Sequence, residues 1–96
     1  MLILITYDVN TTESGGKRRL RQVAKKCTAH GHRVQNSVFE CLLDAAQYKQ
    51  LKAELSALID QAHDSLRFYE LGNHYQTKVD HVGAKPGYDP ESVLML

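Results

Sequence analysis

A single carboxylate closes the most apolar segment of the chain. Asp8 follows Leu2–Tyr7, a run of aliphatic, β-branched and aromatic residues that predicts a strand buried on both faces. An unpaired carboxylate is expensive to bury, so Asp8 should lie at the end of a sheet, near water, a cation or a hydrogen-bond donor. Two interpretations stay open: Asp8 caps the next loop through backbone hydrogen bonds, or it binds a divalent cation.

The cation interpretation needs help from outside the chain. Mg²⁺ keeps several waters and typically binds one or two carboxylates together with substrate phosphate, so Asp8 alone makes a poor site. A two-fold dimer that places Asp8 against its mate would supply a second carboxylate without a second motif. The histidines lack zinc-like spacing, since His30 and His32 have no further partners, and no Ser/His/Asp order, phosphate loop or EF-hand occurs.

Positive charge is concentrated in the first part of the chain. Residues 1–39 carry a net charge of +5 and residues 40–96 one of −4, which the overall +1 conceals. This asymmetry indicates polyanion binding, although a solvated helix face is the simpler interpretation from charge alone. Arg33 and the Ser37 hydroxyl are candidates for a phosphate contact, while Asn36-Ser37 also has the composition of a plain turn.

Length and composition exclude several classes of protein. A chain of 96 residues with 43% hydrophobic residues builds one thin core, for which dimerisation is a common remedy. Cys27 and Cys41 are too few for a disulfide scaffold and are expected to be reduced apolar side chains. No apolar run is long enough for a membrane span and the N-terminus lacks a signal-peptide pattern, so we expect a cytoplasmic protein.

The first half of the chain predicts a helix and a hairpin. Apolar residues at i, i+3, i+4 and i+7 predict a helix over Lys17–His30, with Ser14 as its N-cap and Gly31 as its stop. The segment His32–Leu43 is strand-like, and its alternation slips near residues 36–37, which predicts a hairpin or a bulge.

The second half predicts a further helix and two strands. Asp44 and Gln47 form a capping box at the start of a helix with its own apolar stripe. Ser65–Leu71 alternates and is rich in aromatic residues, as in a strand, and Gln76–Val82 is a candidate for a short final strand.

This order of elements predicts an α+β fold. Strand, helix, strand, strand, helix, strand is the βαββαβ order of the ferredoxin-like fold, in which two helices cover one face of an antiparallel sheet and the first strand is central. An extra C-terminal strand would follow. Residues 1–83 are predicted to form the domain, and residues 84–96, which contain both prolines, a C-terminal tail.

Five segments carry a resemblance to a known family. They are LILITYDVN, RLRQVAKKC, RVQNSVFEC, DSLRFYELG and KVDHVG, in this order over roughly residues 1–83. Together they resemble the small CRISPR-associated endonuclease of spacer acquisition, the second of the two universal proteins of those systems. The forms HGHRVQNSVFE and DSLRFYELGN are most similar to the subtype I-C branch.

The resemblance implies a symmetric homodimer with a metal-dependent phosphodiesterase activity. Asp8 matches the family's metal-site aspartate, so Asp8 and its mate would hold one Mg²⁺ or Mn²⁺ and Asp8 would be the catalytic residue. The metal would lower the pKa of a bound water and stabilise charge on the phosphate oxygens.

The resemblance also implies an architectural role. The family's dimer bridges two copies of the CRISPR-associated integrase and holds duplex DNA. By this resemblance Arg18 and Arg19 are candidate phosphate contacts, with Lys17 behind them. The segment after the last core strand would pack on the dimer mate or on the integrase.

Three hypotheses therefore stand. The first is a magnesium-dependent endonuclease that acts on DNA, RNA or both in spacer acquisition. The second is a non-catalytic dimeric scaffold, favoured by the basic first part of the chain and by the lack of an identifiable general base. The third is a ferredoxin-like small-ligand or regulatory dimer that needs neither metal nor nucleic acid.

Overall fold

A computed structural model describes residues 1–83, which form an α+β fold. The predicted tail, residues 84–96, lies outside the described residues. The helices and strands are β1 (Leu2–Asp8), α1 (Gly16–His30), β2 (His32–Gln35), β3 (Val38–Leu42), α2 (Ala45–Leu58) and β4 (Ser65–Gly72), followed by a short 3-10 helix (Tyr75–Thr77).

The described strands form one antiparallel sheet in the order β2-β3-β1-β4, which is the predicted ferredoxin-like topology. Strand β1 is central because its side chains are the most apolar of the sheet. Leu2, Ile3 and Ile5 are fully buried. In the register of the sheet, Ile5 lies between Phe39 of β3 and Phe68 of β4, so the core forms along the middle of the sheet.

The predicted hairpin between β2 and β3 is confirmed. The strands pair antiparallel, and the register slips between Arg33 and Gln35, close to the predicted slip. The hairpin tip is tied to the end of β1, because the Tyr7 hydroxyl donates to the Asn36 carbonyl oxygen at 3.1 Å and the Tyr7 amide donates to Ser37 O at 3.1 Å. The turn composition thus anchors the hairpin tip beside the carboxyl end of β1.

The two helices begin differently. The predicted capping box of α2 is confirmed, since Asp44 accepts from the Gln47 amide at 2.7 Å and Gln47 Oε1 accepts from the Asp44 amide at 2.9 Å. The predicted N-cap of α1 is wrong. Gly15 is the N-cap instead, with a φ of 85°, a backbone angle at which a serine would be strained.

Tertiary packing explains why glycine starts α1. Gly16 is buried against the β1–α1 loop, where an added Cβ would come within 1.9 Å of the Asn10 carbonyl oxygen. Gly31 ends α1 as predicted. The start of α1 is therefore set by close approach to the loop after β1, and not by a side-chain cap.

The predicted extra strand over Gln76–Val82 is not present in the described part of the chain. The chain turns away from the sheet at Gly72, which has a φ of 78°, and residues 75–77 form the 3-10 helix. Tyr75 is buried there, and Lys78 Nζ donates to the Leu71 carbonyl oxygen at 3.0 Å. A strand needs a neighbouring strand to satisfy its backbone, and this turn carries the segment away from the edge of its own sheet.

Candidate functional site

Asp8 lies at the carboxyl end of the central strand with its side chain exposed. Its position is fixed because both neighbours, Tyr7 and Val9, are buried in the core. Across the sheet it pairs with Ser65, the first residue of β4. Within residues 1–83, the Asp8 carboxylate makes no hydrogen bond or ion pair, so its oxygens are available to a ligand. The loop-capping interpretation of Asp8 is therefore not what the structure shows.

Asp8 points to the face of the sheet opposite the helices. Side chains alternate along a strand, and Ile3, Ile5 and Tyr7 pack in the core beneath the helices. Leu4, Thr6 and Asp8 therefore lie on the other side, which no described helix covers. We call this side the open face, and it also carries Val38, Glu40 and Leu42 of β3 and Ser65, Arg67 and Tyr69 of β4.

Asp8 offers the type of ligand that a hard divalent cation binds, but a single carboxylate is too few for a metal site. An exposed carboxylate is an oxygen ligand of the type that Mg²⁺ and Mn²⁺ prefer. In the register of the sheet its partner on the open face is Ser65, whereas Glu40, the second carboxylate of this face, lies opposite Leu4 and not opposite Asp8.

A second cluster of ligand-type side chains lies in the loops, and sequence analysis did not find it. Ligand atoms of Glu13, Asp60 and His63 all lie within 4.8 Å of one another. His63 Nδ1 lies 2.9 Å from Asp60 Oδ2 and 3.1 Å from Glu13 Oε2. The hydrogen bond to Asp60 raises the pKa of His63, and the same bond lowers the pKa of Asp60.

Arg19 supplies the positive charge of this cluster. It forms an ion pair with Glu13, and its Nε donates to Asp64 Oδ2 at 2.8 Å. A cation beside Glu13 opposes the binding of a second, doubly charged cation. The cluster is chemically able to hold a metal, but its carboxylates already have protein partners, whereas Asp8 has none within the described chain.

Asp64 is the buried centre of the network. Its side chain is 0% exposed, and Arg19 holds its pKa at about 2, well below the ordinary value. The carboxylate also accepts from the backbone amides of Asn10 and Asp60, each at 2.9 Å. The partners are 4 to 54 residues away in the sequence, so no local motif signals this residue.

The predicted phosphate-binding residues differ in their exposure and in their partners. Lys17 and Arg18 are exposed at the start of α1, directly after the loop that Asp64 holds. Arg19 is engaged with Glu13 and Asp64, so its predicted phosphate contact stays a prediction. Arg33 is exposed on β2, with its guanidinium 5.1 Å from the centre of the Phe39 ring.

Further basic residues extend the exposed surface of α1. Arg21 and Lys25 are exposed and lie one and two turns after Lys17, on the same side of the helix. Lys26, in contrast, pairs with Glu54 of α2 at 3.0 Å. Spacing along the helix could have identified Arg21 and Lys25 from the sequence.

The cysteines have no part in this site. Cys27 and Cys41 are free and fully buried, as predicted. Burial raises the pKa of each thiol to about 12, so both stay protonated and unreactive at neutral pH.

Neither helix within residues 1–83 has the length and apolar character of a membrane span.

The chain is similar to two Cas2 proteins over all or nearly all of its length. It is 60% identical over 96 residues to the CRISPR-associated endonuclease Cas2 of Halalkalibacterium halodurans, covering all of both chains. It is 61% identical over 95 residues to the CRISPR-associated endoribonuclease Cas2 3 of Rhodospirillum rubrum, covering 99% of this chain and all of the relative.

A solved structure shows the same fold. The crystal structure of Streptococcus pyogenes Cas2 at pH 6.5 is 49% identical, with a TM-score of 0.74, and the match covers 86% of this chain and 100% of that one. Residues 1–79 match the family described as CRISPR associated protein Cas2. The sequence, the sheet order and these relatives together show that the chain belongs to the Cas2 family.

Proposed function

We propose that this protein is a divalent-metal-dependent endonuclease that cleaves phosphodiester bonds in nucleic acid during CRISPR spacer acquisition. The observation that carries the proposal is the exposed Asp8 carboxylate, which is fixed by buried neighbours and unpaired within residues 1–83. The relatives named endonuclease and endoribonuclease support a nuclease role and leave both DNA and RNA as substrates.

The active form in this proposal is a symmetric homodimer. The open face carries apolar side chains such as Leu4, Val38 and Leu42, and Tyr69 is 41% exposed. A second copy that covers this face would bury them and bring two Asp8 carboxylates to one cleft. Mg²⁺ or Mn²⁺ bound between them would supply a water of lowered pKa and stabilise charge on the phosphate.

The exposed basic residues would hold the substrate. Lys17 and Arg18 are exposed and lie on the helix that follows the loop after Asp8, and Arg33 lies beside the hairpin tip that Tyr7 anchors. Their cations would bind backbone phosphates and so orient the strand for cleavage at Asp8. Arg19 stays in this proposal as a candidate contact.

The same proposal covers the location and the partners of the protein. The protein would work in the cytoplasm, where its partners are the CRISPR-associated integrase and the DNA to be inserted, in a system of subtype I-C. The segment after β4, including Lys78–Val82, would pack on the dimer mate or on the integrase.

Replacement of Asp8 by Asn tests the nuclease directly. Asn keeps the shape but removes the charge that binds a cation, so cleavage of labelled single-stranded RNA and duplex DNA should fall by roughly a hundred-fold or more. Light scattering should show an unchanged dimer. Glu54→Gln is the matched control, since it removes a carboxylate far from the site and should cleave normally. Equal cleavage by the Asp8→Asn protein, with excess Mg²⁺ and matched purity, would refute the catalytic role.

A scaffold without catalysis is the second candidate. It is favoured by the exposed basic side of α1 and by the lack of a neighbouring carboxylate or imidazole bound to Asp8 within the described residues. Spacer integration by the Asp8→Asn protein separates the two functions. Retained integration indicates a scaffold, and lost integration with intact assembly indicates a catalyst.

A further inference from the structure

We propose that Asp64 is a positioning residue for the Asp8 site: it locks the loop after Asp8 to the start of β4. This inference rests on the proposed nuclease function and adds a residue to it. Asp64 itself faces the interior and touches no substrate, so it would act through the backbone on either side of Asp8.

The burial and the bonding of Asp64 are those of a structural hub. Its side chain is 0% exposed, and its two oxygens accept from three different segments. The donors are the Asn10 amide at 2.9 Å, the Asp60 amide at 2.9 Å and Arg19 Nε at 2.8 Å. A buried carboxylate is stable only with such complete pairing, so all three segments are held by one side chain.

Asp64 is linked to the neighbourhood of Asp8 in two ways, through the adjacent residue of β4 and through the loop after Asp8. Ser65, which follows Asp64 directly, pairs with Asp8 across the sheet. Asn10, two residues after Asp8, donates its amide to the Asp64 carboxylate. The burial of Tyr7 and Val9 fixes where Asp8 lies, and the bond from Asn10 to Asp64 further restrains the direction in which the chain leaves β1.

The same carboxylate ties α1 to this arrangement through Arg19. The Arg19 guanidinium also reaches Asp64 Oδ1 at 3.4 Å with its second nitrogen, and its pKa is raised by the bond to Asp64. Arg18, the neighbouring exposed cation, lies on the turn that this ion pair anchors.

The chemistry requires an aspartate at this position. Asn would offer one oxygen and one NH₂ group, and the NH₂ group would face an N–H donor where the carboxylate now accepts. Its neutral side chain would also leave the Arg19 guanidinium without its buried counter-charge. Asp64→Asn therefore keeps the volume of the side chain but loosens the loop.

The test compares Asp64→Asn with wild type and with Glu54→Gln, which removes an α1–α2 ion pair far from Asp8. Because small displacements of reacting groups reduce rates strongly, kcat should fall roughly ten- to a hundred-fold at a temperature where the variant is fully folded. The Mn²⁺ concentration for half-maximal activity should rise, and Glu54→Gln should leave both unchanged.

A second measurement, amide exchange by NMR, needs neither metal nor substrate. In the metal-free protein, NMR should show that the Asn10 and Asp60 amides of Asp64→Asn exchange with solvent at least ten-fold faster than in wild type. The amide of the core residue Leu51 should be unaffected. If Asp64→Asn does not fold, Arg19→Lys is the second variant, because it keeps the positive charge and loses the Nε donor, and it should show the same pattern more weakly.

The outcomes separate this inference from the proposed function. If Asp8→Asn abolishes cleavage while a folded Asp64→Asn, or Arg19→Lys in its place, has wild-type kcat and Mn²⁺ dependence, the positioning role is overturned and the nuclease stands. A loss of kcat matched by an equal loss of folded protein, with unchanged Asn10 exchange, overturns the positioning role as well. If Asp8→Asn cleaves like wild type, both proposals fail.

Discussion

Glu40 places a buried carboxylate in the middle of the open face. It is 9% exposed, and the pairing of the strands sets it between Leu4 of β1 and His32 of β2. Burial raises the pKa of Glu40 because the charged form loses hydration, and the His32 charge offsets part of this rise. Ionisation of this carboxyl group therefore works against folding.

The pH dependence of Glu40→Gln follows from this shift. A carboxyl group whose pKa is raised by folding contributes most stability below its unfolded value, near 4.5, and that stability is lost as pH rises through the folded pKa. Glu40→Gln should thus raise the melting temperature by a few degrees at pH 7, and the gain should vanish below pH 4.5. Thermal unfolding over pH 4–8 measures this.

Glu54→Gln is the control, and its melting temperature at pH 7 should fall and not rise, because the hydrogen bond from Lys26 lowers the pKa of Glu54. A lower melting temperature for Glu40→Gln at pH 7 would show that this carboxylate has a stabilising partner in the folded protein.

At the scale of the elements, the starts of the two helices differ in how they depend on the rest of the chain. Asp44 and Gln47 are three residues apart and satisfy each other, so the sequence alone predicts the start of α2. The start of α1 depends on Asn10, whose carbonyl oxygen leaves no room for a Cβ on Gly16. A contact made by tertiary packing leaves no local pattern in the sequence, and for that reason the predicted N-cap, Ser14, is wrong.

Gly16→Ala tests this difference. In an ordinary helix, Ala is about 1 kcal/mol more favourable than Gly. Here the added Cβ must displace the Asn10 backbone, so the free energy of unfolding should instead fall by roughly 1–3 kcal/mol in urea titrations. Ser14→Ala, two residues earlier, lacks a cap bond to lose and should change stability by less than about 0.5 kcal/mol. A stabilised Gly16→Ala protein would contradict the packing described for α1.

At the scale of the whole molecule, the topology could be predicted because it follows from periodic patterns. The apolar run of β1 predicts a central strand, and Asp8 at its end predicts a site at the edge of the sheet. The pairing of Asp64 with Arg19 and Asn10 could not be predicted, because it joins residues 45 and 54 positions apart that carry no motif. The prediction of an extra strand over Gln76–Val82 is wrong, because alternating polar and apolar residues indicate a strand but do not provide the neighbouring strand with which it must pair.

The exposed charges of α1 predict how nucleic-acid binding depends on salt. Each phosphate contact contributes about 0.9 to the slope of log affinity against log salt for duplex DNA. Arg18→Ala should reduce that slope by about this amount, since Arg18 is exposed. Fluorescence anisotropy with labelled duplex DNA from about 50 to 300 mM KCl measures this slope. Lys26→Ala is the control, because Lys26 already pairs with Glu54, and an unchanged slope for Arg18→Ala would remove Arg18 from the interface.

The way Asp64 gathers its donors also bears on when the Asp8 region takes shape during synthesis. The Asn10 amide and the Asp64 carboxylate are separated by 54 residues, so this hydrogen bond cannot form until Asp64 has left the ribosome. A nascent chain that has emerged only as far as α2 would hold a nearly complete core and an untethered loop. The surroundings of Asp8 would then become ordered only late in synthesis, after the segment that carries Asp64 has emerged.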